Sequence, residues 1–213
     1  MTTNEIKTTT MASAATALAA ASHAAETVSL DELIARIKST DDKVRGAAWQ
    51  GADAYGAPAI KPLAGVMTDP NFEIARSARR AIEVIVRHAG RPGSKKEAQA
   101  VEKELIPLLK SEAVPVRREA LWMLSEIGND EAVAPMAALL TDPEVREDAR
   151  CALLRIPGRK ATAALKSAFA QAPEDFKYAL ADALRIRGEK VEGYPSRKMV
   201  PVKPTSVGEP KTS

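Results

Sequence analysis

Residues 112–128 read EAVPVRREALWMLSEIG, and variations of this stretch occur at four other places in the chain. Each copy has an apolar anchor near its start, usually a small residue four positions later, and apolar residues mainly seven, eight and eleven positions after the anchor. At about 100° per residue these positions share one face of a helix. The other copies are TDDKVRGAAWQGADAYG from Thr40, DPNFEIARSARRAIEVI from Asp69, DPEVREDARCALLRIPG from Asp142 and PEDFKYALADALRIRG from Pro173.

The spacing of the anchors predicts the architecture. The anchors are Val44, Ile74, Val116, Val145 and Phe176, and they lie 30, 42, 29 and 31 positions apart. This is the range of two-helix repeats that stack into a solenoid, not of a single closed core. We therefore predict an all-α fold, an α-solenoid of about five helical hairpins in which each copy is the second helix of its hairpin.

The segments between the copies supply the first helices and the turns. Ser29, followed by Glu32 three residues later, is typical of a capped helix start, and apolar segments begin at Ile60, Glu104 and Val133. Glycines twelve positions after three of the anchors predict left-handed helix caps. These glycines are Gly56, Gly128 and Gly188.

The five copies resemble HEAT repeats, most closely the short bacterial type named after phycobilin lyases, over about residues 30–188. The resemblance implies a polar ladder between neighbouring hairpins, to which Arg45, Arg117 and Arg146 would contribute. In the second copy Ala75 holds the arginine position, so the ladder should be interrupted there or re-formed by Arg76. Such arrays serve as scaffolds, regulators, chromophore lyases and DNA glycosylases, so the resemblance leaves the function open.

Composition divides the chain into three parts. Residues 1–28 are predicted to form a flexible, alanine-rich leader, with a cleaved export signal as the alternative, and residues 29–188 form the solenoid. Residues 189–213, rich in Pro, Lys and Ser, are predicted to be a disordered tail. No stretch approaches about 18 consecutive apolar residues, so we predict no membrane span. A leader that is not cleaved predicts a cytoplasmic protein. The leader and the charged last helix could cap the ends of the solenoid, which predicts a monomer.

Few side chains of the chain are candidates for binding a metal or for catalysis. One cysteine, Cys151, and two histidines provide no metal-ligand cluster. No catalytic or cofactor motif is present, so we predict no catalytic residue, no cofactor and no metal. The net charge of +3 alone is too small to indicate nucleic acid.

One face of the second helices is a candidate binding surface, because in solenoids the side opposite the buried stripe often binds partners. It comprises the positions two, six, nine and thirteen residues after each anchor. The segment from Arg76 to Arg118 holds eleven Lys and Arg against five Asp and Glu. The candidate partner-binding residues are Arg76, Arg80, Arg87, Arg118 and Trp122.

Trp122 lies well outside the apolar stripe of its helix. It is either an anchor for a partner or is covered locally, and the segment AGRPGSKKEAQAVEK between His88 and Glu104 is the candidate cover. The function that these features favour is a non-catalytic scaffold that binds a protein or peptide with an acidic surface. The alternatives are a nucleic-acid-binding protein of the DNA-glycosylase kind and a chromophore-lyase-like subunit, for which Cys151 and His88 would be the reactive groups.

Overall fold

The computed structural model describes residues 29–196, and this part of the chain contains ten α-helices, four short 3-10 helices and no strand. The leader predicted over residues 1–28 lies outside the described residues. The α-helices are α1 (Leu30–Ile37), α2 (Asp42–Gln50), α3 (Ile60–Val66), α4 (Phe72–Ala89), α5 (Lys95–Leu105), α6 (Val114–Ile127), α7 (Asp130–Ala138), α8 (Arg146–Arg155), α9 (Arg159–Gln171) and α10 (Glu174–Ile186).

The helices form five consecutive hairpins, α1–α2 to α9–α10. Each second helix packs on the second helix of the next hairpin, so that α2, α4, α6, α8 and α10 form one continuous layer. The first helices contact one another in the same order, α3 with α5 and α7 with α9, and form the other layer. This confirms the predicted all-α solenoid, with the core between the two layers.

The predicted apolar stripe is buried in the copies where the pattern is strongest. Val145, Ala149, Ala152, Leu153 and Ile156 are all buried. In the first copy Ala48 and Ala52 are buried, but Val44 is 38% exposed, so the prediction that it is buried is wrong. In the first turn of α2, Arg45 is buried in place of Val44.

Helix starts follow the capping chemistry that the sequence indicates. The Ser29 hydroxyl accepts a hydrogen bond from the Glu32 N–H at 3.2 Å, as predicted. Asn129 caps α7 in the same way, accepting from the Glu131 N–H at 2.8 Å. Side chains therefore satisfy helix N–H groups that have no partner within the helix.

The segment between His88 and Glu104 does not fold over the binding face. Its second half is α5, the first helix of the third hairpin, which packs between α4 and α6. Val101 and Leu105 are buried in this packing, and this burial explains why the segment is helical. The long spacing between the second and third anchors therefore reflects a long α4 and a longer first helix, not an inserted cover.

The predicted left-handed caps are only partly present. Gly188 has φ 84° directly after α10, whereas Gly128 is extended at φ −66° and ψ 157°. Gly56 has φ 58° but follows a 3-10 helix, Ala52–Tyr55, because α2 already ends at Gln50. Gly128 is favoured for a different reason, because a β-carbon at this position would clash with the carbonyl oxygen of Leu124.

The predicted disordered tail does not begin at residue 189. Residues 189–196 lie against the last hairpin, and Val191 packs on the hydrophobic core. Tyr194 contacts both α9 and α10 through its ring. Residues 197–213, the rest of the predicted tail, lie outside the described residues.

Candidate functional site

The hairpins are held in register by a polar ladder that runs along the stack. Arg117 of α6 donates to the Asp142 carboxylate at 3.1 Å, and Arg146 of α8 donates to Asp175 at 2.6 Å. Both pairs join neighbouring hairpins, as the resemblance implied. Arg45, by contrast, pairs with Asp42 of its own helix.

The ladder is interrupted at the second hairpin. Arg76 pairs with Glu73 of its own helix at 3.1 Å and does not replace the arginine that is absent at Ala75. The connection to the third hairpin is made instead by Arg79, whose guanidinium donates to Glu119 at 3.0 Å. This bond raises the pKa of Arg79.

The predicted basic residues of α4 all have local partners. Arg80 lies over the ring of Trp49, 5.1 Å from its centroid, and Arg87 is 3.9 Å from Glu83. Arg76 pairs with Glu73, so each of these three arginines of α4 contacts a carboxylate or an aromatic ring. Glu73 and Glu83 therefore partly compensate the charges of Arg76 and Arg87, which weakens the attraction of α4 for a polyanion, whereas Arg80 on the neutral ring keeps its full charge.

Trp122 of α6 is the most prominent apolar group on the candidate face. It is 54% exposed, and the only ring contact described for it is with Arg155 of α8, whose guanidinium lies 5.4 Å from the ring centroid. Arg155 is held there by an ion pair with Glu126. The local cover predicted as one alternative is therefore wrong as far as the segment between His88 and Glu104 is concerned.

Trp122 lies in a shallow groove between α6 and α8. Arg118 borders the groove on the same helix and is fixed by the Asp148 carboxylate at 3.4 Å and by the Glu144 carbonyl oxygen at 2.7 Å. The neighbouring position on this face, Ser125, is buried and donates to the Trp122 carbonyl oxygen at 2.7 Å. The groove is lined by Arg118, Trp122, Ser125, Asp148, Cys151 and Arg155.

The two groups considered for lyase chemistry have no described contact with each other. His88 of α4 lies 3.3 Å from Asp53 and 3.8 Å from Glu97. Cys151 of α8 is exposed and accepts a hydrogen bond from Arg150 at 3.2 Å. Within residues 29–196 no group of three or more His, Cys, Asp and Glu side chains is arranged to hold a metal ion.

Two structural residues are not predicted by the repeat pattern. Arg187, just after α10, donates to the carbonyl oxygens of Leu153, Leu154, Ile156 and Gly158 at the carboxyl end of α8. Glu102 of α5 is 1% exposed and accepts the backbone N–H of Asn129 at 2.8 Å, at the start of α7. Both side chains bind a helix end in a neighbouring hairpin. The repeat pattern gives only the positions of residues within one helix, so it does not predict such contacts.

Burial gives Glu102 a testable pH dependence. Desolvation raises its pKa above the ordinary value, although the N–H groups of Asn129 and Ala132 oppose the shift. A carboxyl whose pKa is raised in the folded state binds its proton more tightly there, so the contribution of Glu102 to stability falls as the pH rises through that range. We expect the free energy of unfolding of the native chain, relative to Glu102→Gln, to decrease between pH 4 and pH 7.

Urea unfolding at several pH values checks this expectation, with Glu104→Gln on the same helix as the control. Glu104 is less buried, so the difference between the native chain and this variant should change less with pH. If the difference in the free energy of unfolding between the native chain and Glu102→Gln did not change between pH 4 and pH 7, the raised pKa of Glu102 would be contradicted.

Within residues 29–196 none of the helices is both long enough and apolar enough to span a membrane.

A comparison with curated proteins found no match. Solved structures that resemble the chain include a designed armadillo repeat protein in complex with the peptide (KR)4, which is 21% identical over 74% of this chain and 81% of that one, with a TM-score of 0.43. Two engineered proteins are similar at 24% and 22% identity, over 74% of this chain and 78% and 79% of theirs, with TM-scores of 0.40 and 0.42. The family model of HEAT repeats matches residues 90–185, which run from the end of α4 to the last turn of α10.

Proposed function

We propose that this chain is a non-catalytic interaction module that binds a protein or peptide partner at the groove between α6 and α8. The observation that carries the proposal is Trp122, a large apolar side chain that is 54% exposed beside two arginines. Tryptophan and arginine are the residue types that dominate the binding energy of protein interfaces. Covering the exposed part of this ring with an apolar side chain of a partner would remove apolar surface from water and so favour binding.

The donor groups around the groove suit a partner carboxylate, although Asp148 and Glu126 already offset the charges of Arg118 and Arg155. The guanidinium groups of Arg118 and Arg155 line the groove, and each is oriented by a carboxylate of the solenoid. A partner carboxylate near either group would form a charge-assisted hydrogen bond. An aromatic or aliphatic side chain of the partner would cover the Trp122 ring, so we expect ligands that combine acidic and apolar residues.

A selection experiment tests the proposal. The full chain is used to select peptides from a random display library, and the enriched peptides are labelled and titrated by fluorescence anisotropy. We expect Trp122→Ala to weaken their binding at least tenfold, about 1.4 kcal/mol, and to change the thermal unfolding midpoint little, because the side chain is largely exposed.

The matched control for this prediction is Phe72→Ala, which removes a 70% exposed aromatic ring at the start of α4, outside the groove. Its effect on peptide binding should be less than twofold. Equal binding to the native chain and to Trp122→Ala would overturn the proposal.

Nucleic acid is the alternative partner, suggested by the excess of Lys and Arg between Arg76 and Arg118. Anisotropy of labelled duplex and single-stranded DNA, titrated from low to physiological salt, tests it directly. Tight binding with a steep salt dependence, lost in the double variant Arg76→Ala with Arg80→Ala, would favour this alternative. Because Glu73 already pairs with Arg76 and Glu83 with Arg87, we expect only weak binding that disappears at physiological salt.

We also propose that the chain acts as a monomer in the cytoplasm. Determination of the N-terminal sequence of the protein isolated from its own cells tests the location, because removal of the leader would indicate export instead. Sedimentation equilibrium of the full chain tests the monomeric state.

A further inference from the structure

The chain supplies an extended segment to the candidate face of its own last hairpin. After α10, Gly188 adopts φ 84° and the backbone turns back along the helix. Arg185 donates to the Val191 carbonyl oxygen at 3.4 Å, and further along the segment the Ser196 hydroxyl donates to Asp182 at 2.6 Å. Lys166 of α9 holds the start of the segment through an ion pair with Glu189 at 2.7 Å.

Tyr194 is the most extensively contacted side chain of this segment. Its ring meets the rings of Phe169 and Tyr178 edge to face, with both centroid distances at 5.2 Å. Its hydroxyl donates to the Glu174 carboxylate at 3.2 Å, and the Lys177 ammonium lies 5.9 Å from the ring centroid. Edge-to-face contacts of this kind contribute about 0.5–1.5 kcal/mol each beyond the area they bury.

The segment binds the positions that the repeat pattern marks as the candidate face. Tyr178, Asp182 and Arg185 lie two, six and nine residues after the anchor Phe176. The corresponding positions of α6 include Arg118 and Trp122, which border the groove of the proposed function. On the fifth hairpin this face thus holds a non-helical segment of the chain itself.

We infer that α9 and α10 form a binding site for an extended peptide that presents an unmodified tyrosine, and that residues 189–196 fill this site within the chain. The inference rests on the proposed function, since it identifies a class of partner for the same face. The two aromatic rings select an aromatic side chain, and Glu174 selects the tyrosine hydroxyl. A phosphorylated tyrosine should bind more weakly, because it has no hydroxyl proton to donate to Glu174 and its charge of about −1.5 to −2 would lie beside this carboxylate, which Lys177 at 3.7 Å offsets only in part.

The bound segment acts as a competitor for partners. Because it is tethered, its local concentration is on the order of millimolar. A free peptide of the same sequence must displace it and binds the native chain weakly. A partner that binds more tightly opens the site by releasing residues 189–196.

The test uses a fluorescent peptide with the sequence of residues 188–196, GEKVEGYPS, titrated by anisotropy against full chains. The chain Tyr194→Ala vacates the aromatic pocket while α9 and α10 remain intact. We expect this chain to bind the peptide at least tenfold more tightly than the native chain does. Two altered peptides, one with Tyr194→Ala and one with the tyrosine phosphorylated, should bind it at least tenfold more weakly than the unaltered peptide.

A second variant makes the result independent of Tyr194 itself. Gly193→Val strains a backbone position at φ 81° and loosens the segment while the tyrosine ring is retained. This chain should also bind the peptide more tightly than the native chain. Equal binding to the native and altered chains, or no binding to either altered chain, would overturn the inference and leave the segment as a structural cap.

Failure of this inference is distinguishable from failure of the proposed function. Adding Trp122→Ala to the Tyr194→Ala chain should leave the affinity for the GEKVEGYPS peptide unchanged, because Trp122 lies two hairpins away on α6. Library peptides selected through the groove should conversely lose affinity when Trp122 is replaced and keep it when Tyr194 is replaced.

Discussion

Replacing Arg187 with alanine is expected to lower the free energy of unfolding by about 3 kcal/mol. The guanidinium donates to carbonyl oxygens of residues 153, 154, 156 and 158 at 3.2, 2.9, 2.8 and 2.6 Å, and to the Thr162 hydroxyl at 2.8 Å. Carbonyl groups at the end of a helix have no partner within the helix. The positive charge also lies at the negative end of the α8 dipole.

Without the guanidinium, these partly buried carbonyl groups lose their partners, and α10 loses a direct connection to the end of α8. Urea denaturation followed by circular dichroism measures the loss. Arg159→Ala is the control, since Arg159 is exposed and none of the described hydrogen bonds or ion pairs involves it. Arg187→Lys should recover only a minor part of the loss, because one ammonium cannot match the planar, five-donor geometry of the guanidinium. An effect of Arg187→Ala no larger than that of Arg159→Ala would contradict the capping role.

Periodicity was sufficient to predict the second helices and their buried faces. The positions from Val145 to Ile156 that share the stripe are all buried, because each hairpin must bury one helical face against its neighbours. The resemblance of the copies to HEAT repeats implied that Arg117 and Arg146 link neighbouring hairpins, and both do. These features recur in several units, so comparison of the copies within one sequence reveals them.

Features that occur once are less visible in the sequence. Glu102 belongs to a segment with a polar appearance, and its burial depends on where α5 packs against the start of α7. Tyr194 lies among residues whose composition is typical of disorder, and its pocket is formed by α9 and α10. In both cases the deciding contact joins residues that are more than fifteen positions apart and belong to different elements.

The candidate face has features that the sequence predicts and features that it does not. The sequence placed Trp122 outside the apolar stripe, and the structure shows the ring exposed. The partners of the arginines could not be read from helical position alone, because Arg80 is engaged by Trp49 of another hairpin and Arg118 by Asp148 of the next. Positive charge counted along the chain therefore overstates the charge that the face offers to a partner.

Gly128→Ala is expected to destabilise the protein by about 2–3 kcal/mol, although the backbone of Gly128 is in a region open to every residue. A β-carbon at this position would lie 2.4 Å from the Leu124 carbonyl oxygen and 3.1 Å from the Cδ1 of Ile156. The first contact is with backbone, so relief requires the end of α6 to move. That movement would disturb Asn129, whose side chain caps α7 and whose N–H binds Glu102.

Gly65→Ala is the matched control for this prediction and should have the opposite sign. Gly65 lies inside α3, and a β-carbon there would meet nothing within 4 Å. Because alanine favours the helix by about 0.5–1 kcal/mol over glycine, this variant should be slightly more stable than the native chain. Urea unfolding of the two variants therefore separates the local clash from the general effect of exchanging glycine for alanine. If Gly128→Ala also proved neutral or stabilising, the close approach between Gly128 and the carbonyl of Leu124 would not be a constraint on the packing of the third hairpin against the fourth.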